Sequence, residues 1–352
     1  MRILRIYPFL PPLPGGMEKH VLRLTEEQRR LGYEVSIAFN RGQTSSSNDI
    51  RVLSSVNLRN IRPQALRDLL FYLFLILEIM VRRSRFEIVH VHGDWSAFLF
   101  GRLVARITSS RKLVGSLHGA ARQGIWSTMY RLILNGYSMV YATGSREAMY
   151  LGSLTGQPVH WQHSGIDKIP FDKDTSEARD RSIDVVSVGS FVPNKNCELV
   201  VEIACAMPNV TFLVIGDGPR KDVIDAHCRN RGISNMTFVG HLPPADVAQH
   251  MRNARIYLHT SFSEGTPTAL LEAMACGLAV ITSKSNDYDG LIQPEENGFV
   301  IEGFEVEPYV RRIQELLDDK KRLHEISCRN SEQAVRYGWA DIAKRITEWS
   351  VA

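Results

Sequence analysis

Short apolar runs rich in Val, Ile and Leu alternate along this chain with longer segments whose apolar residues recur every three to four positions. That alternation predicts buried parallel strands separated by amphipathic helices. In the first half, strands are expected at 2–7, 34–39, 88–91, 112–117 and 139–142, and helices at 17–31, 64–83 and 96–107. In the second half, strands are expected at 184–188, 211–215, 236–239, 256–259 and 279–282, with helices that include 197–206, 219–231 and 244–253. The stretch 165–177 is polar and aperiodic (Asp167, Lys168, Pro170, Asp172, Lys173, Asp174) and marks the seam. The expected architecture is α/β: two open domains, 1–168 and 169–336, facing each other across a cleft. In such sheets ligands sit beyond the carboxyl ends of the strands, so the cleft is the expected site.

Bulk properties narrow this picture. A chain of 352 residues exceeds one ordinary core, and 44% apolar with 23% charged residues is a globular composition rather than a disordered one. Five cysteines, odd in number and without a CxxC pair, read as the reduced thiols of a cytoplasmic protein rather than as disulfides or a zinc site. The first residues read as a strand that runs into Pro8, Pro11 and Pro12, not as a signal peptide. The most apolar segment, 69–81, is shorter than the ~20 residues needed to span a bilayer, and Glu78 interrupts it. The net charge of +4 hides an asymmetry: residues 1–165 carry 21 basic against 10 acidic side chains, and residues 166–352 carry 21 against 28. The two halves are expected to meet different partners, none of them nucleic acid.

The chemistry concentrates in 264–277, Glu-Gly-Thr-Pro-Thr-Ala-Leu-Leu-Glu-Ala-Met-Ala-Cys-Gly. Thr266 suits an N-cap and Pro267 a first helical position, so a helix is expected to start here directly after a strand. Its free N–H groups and positive dipole end would favour a diphosphate. Glu272 falls within an otherwise apolar helix, where a carboxylate must be satisfied. Ligand hydroxyls would satisfy it, and so would backbone or a neighbouring arginine. His90, His92 and Asp94 alternate at a strand end and could be read as a metal trio, but no fourth ligand is evident and a cleft-lining role is preferred. Asp287 and Asp289 form an Asp-x-Asp that reads as a solvated turn. No Gly-x-Gly-x-x-Gly follows the first strand, which removes a dehydrogenase reading.

The run from Ser263 to Gly277, with Glu264 and Glu272 separated by seven residues, resembles the motif of retaining glycosyltransferases of family 4. The resemblance continues in order through Gly15, Gly16 and Glu18, His118-Gly119, Gly189 to Lys195, Gly216-Asp217-Gly218-Pro219, Phe238-Val239-Gly240 and Asn297-Gly298-Phe299. It implies the GT-B fold, two Rossmann-like domains with a final helix, about 337–352, packing back on the first. It further implies that Glu272 holds the ribose of a nucleotide and Glu264 the hydroxyls of the donor sugar. Backbone from Gly265 through Thr266, Pro267 and Thr268 would bind sugar and phosphate. Lys195 would neutralise charge on the leaving diphosphate, and Gly16 would admit the phosphates closely. His118 would face the reacting carbon, Val239 and Gly240 would border the base, and no metal and no resident cofactor would be required. Ser190 departs from the pattern, standing where the family usually has a phosphate-binding arginine, for which Arg122 or Lys284 are the candidate substitutes.

The function implied is retaining transfer of a hexose from a UDP- or GDP-sugar to a glycan or lipid-linked acceptor, in a setting such as bacterial surface polysaccharide or lipopolysaccharide assembly. Binding without turnover, or epimerisation of a nucleotide-sugar, are the competing expectations. Arg59, Arg62, Arg67, Arg82, Arg83 and Arg85 flank the apolar segment 69–81, so 59–85 is either a core helix with basic ends or a peripheral contact with an anionic inner leaflet.

Overall fold

Strand β1 (Arg2–Ile6) buries four of its five residues, as a strand covered on both faces must. The same holds for β4 (Ile88–Gly93) and β5 (Lys112–Leu117), in each of which five of six residues are buried. These strands belong to the first of two compact units into which the computed structural model divides: Met1–Gly165 with Trp339–Ala352, and Ile166–Gly338. The structure describes residues 1–13, 16–44, 46–118, 124–167, 181–262, 267–284 and 291–351.

The first unit holds a seven-stranded parallel sheet in the order β3-β2-β1-β4-β5-β6-β7, where β2 is Glu34–Phe39, β3 Ile50–Arg51, β6 Met139–Ala142 and β7 His160–Trp161. One face is covered by α2 (Gln64–Arg82), α3 (Trp95–Ile107), α4 (Ile125–Leu134) and α5 (Ser145–Thr155), whose apolar sides form the larger core with Phe71, Leu75, Phe98 and Tyr130. The other face takes α1 (Gly16–Arg30) and the last helix of the chain, Trp339–Val351. That last helix buries Trp339, Ile342, Ala343 and Ile346 against β1, β2 and β4 to β6, and Gln28 Nε2 donates to Thr347 Oγ1 at 2.7 Å. At Gly165 a side chain would run into the Trp339 ring, 2.4 Å from the nearest atom, so the chain needs glycine where it leaves this unit.

The second unit holds a six-stranded parallel sheet in the order β10-β9-β8-β11-β12-β13. Its strands are β8 (Ile183–Val188), β9 (Phe212–Ile215), β10 (Met236–Phe238), β11 (Ala254–His259), β12 (Ala279–Ser283) and β13 (Gly298–Ile301). Helices α6 (Cys197–Ala206), α7 (Lys221–Arg231), α8 (Pro244–Arg252), α9 (Thr268–Ala275), α10 (Val306–Asp318) and α11 (Lys320–Ala334) follow the strands, and the last helix, in the first unit, is α12.

Expected element ends shift by one or two residues in several places. Helix α7 starts at Lys221 and not at Pro219: Arg220 (φ −98°, ψ 6°) departs from helical geometry and stands at the N-cap. Strand β4 runs two residues further, to Gly93. Helix α9 begins at Thr268: Pro267 is extended (φ −69°, ψ 121°) and stands at the N-cap, one place before the helical position expected of it.

Candidate active site

In the second unit, the carboxyl ends of β8 to β12 gather most of the predicted site. The central strand β8 has β9 on one side and β11 on the other, so its end is where the strand order reverses. The loop after it turns back on itself: Gly189 N–H donates to Ile215 O at 3.0 Å and Phe191 N–H to Asp217 O at 2.9 Å. A single 3-10 turn, Pro193–Lys195, then ends on Asn196 in the left-handed region (φ 48°). This turn lays the Lys195 stem along Gly189, where a side chain would lie 3.6 Å from Lys195 Cδ. Gly216 (φ 146°) cannot be replaced without collision, since a Cβ would fall 1.9 Å from Gly189 O, and its N–H reaches Gly240 O at 2.8 Å. Three successive strand ends are thus held backbone to backbone. Ser190 is exposed on this edge, Val239 and Gly240 are partly exposed, and nothing in the unit lies within 4 Å of where a Cβ would stand on Gly240.

The loop after β11 locks onto the same turn. Thr260 Oγ1 donates toward Lys195 O (3.1 Å) and Asn196 O (3.0 Å), Phe262 N–H donates to Asn194 O at 2.8 Å, and Ser283 Oγ donates to Ser261 O at 2.7 Å. Pro267 is buried, Thr268 is partly exposed, and Glu272 is buried one turn into α9 between Leu271 and Ala273. Glu264, Gly265 and Thr266 lie outside the described residues, as do Arg122, Asp287 and Asp289. Lys284, a candidate replacement for the arginine missing at Ser190, is engaged with Glu302 at the surface. His259 carries no partner on its buried Nε2, and burial together with the nearby Lys195 charge pulls it down to about 3. It is a neutral ring beneath the lysine turn.

In the first unit, the corresponding strand ends carry imidazoles. His20 of α1, His90 and His92 of β4 and His118 after β5 form one cluster. The His20 and His118 rings meet edge to face, 4.5 Å between centroids, and His92 Nδ1 lies 3.1 Å from His118 Nε2. Burial drives His20, His90 and His92 well below the usual imidazole value, and His118 down to about 3. All four are therefore neutral at physiological pH. Gly16 opens α1 with free space where a Cβ would stand. A cavity of about 280 Å³ has His92, His118 and Tyr7 in its wall and Gln64, Arg67 and Asp68 from the first turns of α2.

The trio His90, His92 and Asp94 is not assembled. Asp94 caps α3 through Trp95 N–H at 2.7 Å and accepts from the Tyr130 hydroxyl, while His90 is tied to Arg5 and Ser116. Instead, nitrogens of His20, His92 and His118 lie within 4.8 Å of one another, the one set among the described residues that could converge on a cation. Three imidazoles can hold a dication, but the buried Arg5 charge, which also bears on His20 and His92, opposes one there.

Sequence reasoning missed His20, Arg5 and His259. His20 had a signal: it stands one helical turn after Gly16, on the face that residue opens. Arg5 and His259 had none, since only the packing shows what they touch.

Comparisons with known proteins fall on both units. A family model described as Glycosyltransferase Family 4 matches residues 14–168, and one described as Glycosyl transferases group 1 matches residues 168–333. The gpi3 subunit of phosphatidylinositol N-acetylglucosaminyltransferase from Schizosaccharomyces pombe is 25% identical, over 96% of this chain and 77% of its own length. A phosphatidyl-myo-inositol mannosyltransferase from Mycolicibacterium smegmatis is 21% identical, over 98% of this chain and 92% of its own. The crystal structure of Anabaena Alr3699/HepE in complex with UDP superimposes with a TM-score of 0.79 at 18% identity, covering 99% of each chain, a likeness of fold.

Proposed function

This chain belongs to the family 4 glycosyltransferases of GT-B fold, and from that premise we propose that it moves a sugar, with retention of configuration, from a nucleotide-sugar to a hydroxyl on a lipid-borne acceptor at an anionic membrane surface. The observation that carries the donor half is the backbone-locked edge of the second unit, where the Lys195 turn, the Gly216 loop and the loop after β11 meet. Lys195 places a cation there, and the positive dipole end of α9 adds to it. Both act where charge grows on a departing diphosphate, which is where electrostatic stabilisation is worth most. Buried Glu272 takes the ribose hydroxyls, Val239 and Gly240 border the base, and Glu264 with the backbone of Gly265 to Thr268 holds the sugar. A UDP donor is supported by the nucleotide in the HepE complex. No metal is needed in this scheme, because Lys195 and the helix end supply the neutralisation.

The acceptor half rests on the first unit. Helix α2 has two faces: Phe71, Tyr72, Leu75 and Ile79 enter the core, while Leu66, Leu69, Leu73, Leu77 and Met80 form an exposed apolar stripe. Leu99, Leu103 and Ile107 of the adjacent α3 extend it. Arginines 59, 62, 82, 83 and 85 border the stripe, a combination suited to an anionic bilayer surface. Among the described residues no helix is long and apolar enough to cross a membrane. The first turns of α2 also wall the cavity that holds His92 and His118, so a lipid-borne hydroxyl would enter beside the neutral imidazoles. Two relatives are named for phosphatidylinositol, which favours a phospholipid acceptor over a soluble glycan. The departing phosphate, rather than an enzyme carboxylate, takes the acceptor proton.

The test is a panel of UDP-glucose, UDP-N-acetylglucosamine and GDP-mannose, each offered with vesicles containing phosphatidylinositol. Glycolipid formed from one donor, with equimolar nucleotide released, is the expected result. No nucleotide and no glycolipid from any donor would overturn the reading in favour of binding without turnover, and a changed sugar on intact nucleotide would indicate epimerisation.

A further inference from the structure

Arg5 stands on β1, an inner strand of the first sheet, fully buried, and its partners are a hydroxyl, an amide oxygen and an imidazole nitrogen. Burial lowers it to about 9, so it remains charged at neutral pH. A guanidinium has five donors and no acceptor, so every group it touches must accept. Thr25 Oγ1 accepts at 2.6 Å, and its own hydrogen goes to Val21 O at 2.8 Å. Gln28 Oε1 accepts at 2.6 Å, and its amide donates to Thr347 Oγ1, whose hydrogen goes to Ala343 O. Each direction is forced.

The third partner carries the consequence further. His90 Nδ1, 3.3 Å from Arg5 Nη2, must be the bare nitrogen. The proton of neutral His90 is then on Nε2, which donates to Ser116 Oγ at 2.6 Å. Ser116 hydrogen-bonds Tyr141 and, having accepted from His90, has its own hydrogen to give; the Tyr141 hydroxyl lies 3.3 Å from His20 Nε2. His20 Nε2 accepts, so its proton is on Nδ1 and points to Ser164 Oγ at 2.9 Å. One donor-only group thus orders a chain from the middle of the sheet to the edge where the His20 ring meets His118.

We propose that Arg5 is a positioning residue: through His90, Ser116 and Tyr141 it fixes the tautomer and ring orientation of His20, and with it the placement of His118 at the acceptor edge. The catalytic consequence rests on the transfer proposed above, whereas the tautomer pattern does not. Coupled buried bonds of this kind hold a geometry that no member holds alone.

The experiment is nitrogen NMR on protein labelled with 15N-histidine, assigned by single His→Gln variants, which needs no donor or acceptor. Wild type is expected to show His90 protonated on Nε2 and His20 on Nδ1. Arg5→Met is expected to disturb both rings. Tyr141→Phe, which keeps Arg5 and the ring volume, is expected to disturb His20 and leave His90 unchanged. In both variants kcat for transfer should fall on the order of tenfold with donor KM within about twofold, the cost of misplaced groups. Should Arg5→Met fail to fold, wild type and Tyr141→Phe still decide. A wild-type His90 protonated on Nδ1, or a His20 spectrum unmoved by Tyr141→Phe, would overturn the proposal. The expected tautomers in a protein that transfers no sugar would instead count against the proposed function alone.

Discussion

The two units carry the same parallel sheet with loops at the same ends, yet they furnish those ends in opposite ways. The second builds its edge from backbone: Gly189, Gly216 and Gly240 let three strand ends interlock, and the Lys195 stem lies along Gly189. The first builds its edge from side chains, four uncharged imidazoles beneath a cavity. The contrast fits the two partners of a transfer reaction. A diphosphate demands fixed N–H groups and positive charge, whereas a hydroxyl about to become a nucleophile needs neutral groups that orient it without protonating its neighbours.

The strongest challenge to this division is Lys195→Ala. Removing the Lys195 charge from the second edge should lower kcat/KM by about 10²–10³, the range for losing a single preorganised electrostatic contact. A loss under threefold would mean the second edge does not stabilise the leaving group.

Acid separates the units next. His20, His90, His92 and His118 are depressed by burial, so they stay neutral in the fold while the unfolded chain titrates near 6.5. The unfolded state therefore takes up protons first. Stability is complete above about pH 6.5 and is lost as pH falls toward 3, by about 1.4 kcal/mol per pH unit for each histidine fully titrating in the unfolded chain alone. In the second unit His259 is the one histidine so shifted among the described residues. All five tryptophans (Trp95, Trp126, Trp161, Trp339, Trp349) fall in the first unit, so their fluorescence reports it alone. On acid titration the tryptophan transition should precede the main loss of circular dichroism; coincident transitions would contradict the contrast.

A smaller effect tests the acceptor side. Leu73→Asp with Leu77→Asp, both on the exposed stripe, should reduce co-sedimentation with phosphatidylserine vesicles about tenfold or more, given roughly 1.5–3 kcal/mol for burying one leucine. Donor turnover without acceptor should not change. Unchanged sedimentation would leave the stripe to a protein partner. The smallest effect belongs to Ser190→Arg, which restores a cation at an exposed position of the donor edge and should lower donor KM by roughly three- to tenfold. A rise in KM would mean the loop has no room for it.

Much of this was legible beforehand. Strands at 34–39, 112–117 and 139–142 and the helix at 197–206 carry unbroken apolar patterns and lie where the periodicity predicted. The strand-end edge of the second unit was readable because its residues come in contiguous loops, with Lys195 six positions from Gly189. The histidine cluster was not. His90 and His92 share a strand face, and local spacing invited Asp94 as their third member, but Asp94 lies past the strand at a helix cap. The actual companions arrive from elsewhere: His20 from α1, and His118 from just beyond the register pair Gly93–Leu117. Non-local packing of that kind leaves no trace in spacing. Helix α2 was ambiguous for another reason, since an apolar helix in the core and one with an apolar face left bare have the same composition.

The central claim, that nucleotide belongs to the second unit and acceptor chemistry to the first, is tested most directly by calorimetric titration of UDP and GDP into wild type, Glu272→Gln and His118→Ala. The account predicts that the preferred nucleotide binds Glu272→Gln at least about tenfold more weakly, as a site built to bond hydroxyls would when its carboxylate is neutralised. His118→Ala should bind it within about twofold of wild type while losing transfer. Equal nucleotide affinity in wild type and Glu272→Gln, or nucleotide binding abolished in a folded His118→Ala, would contradict it.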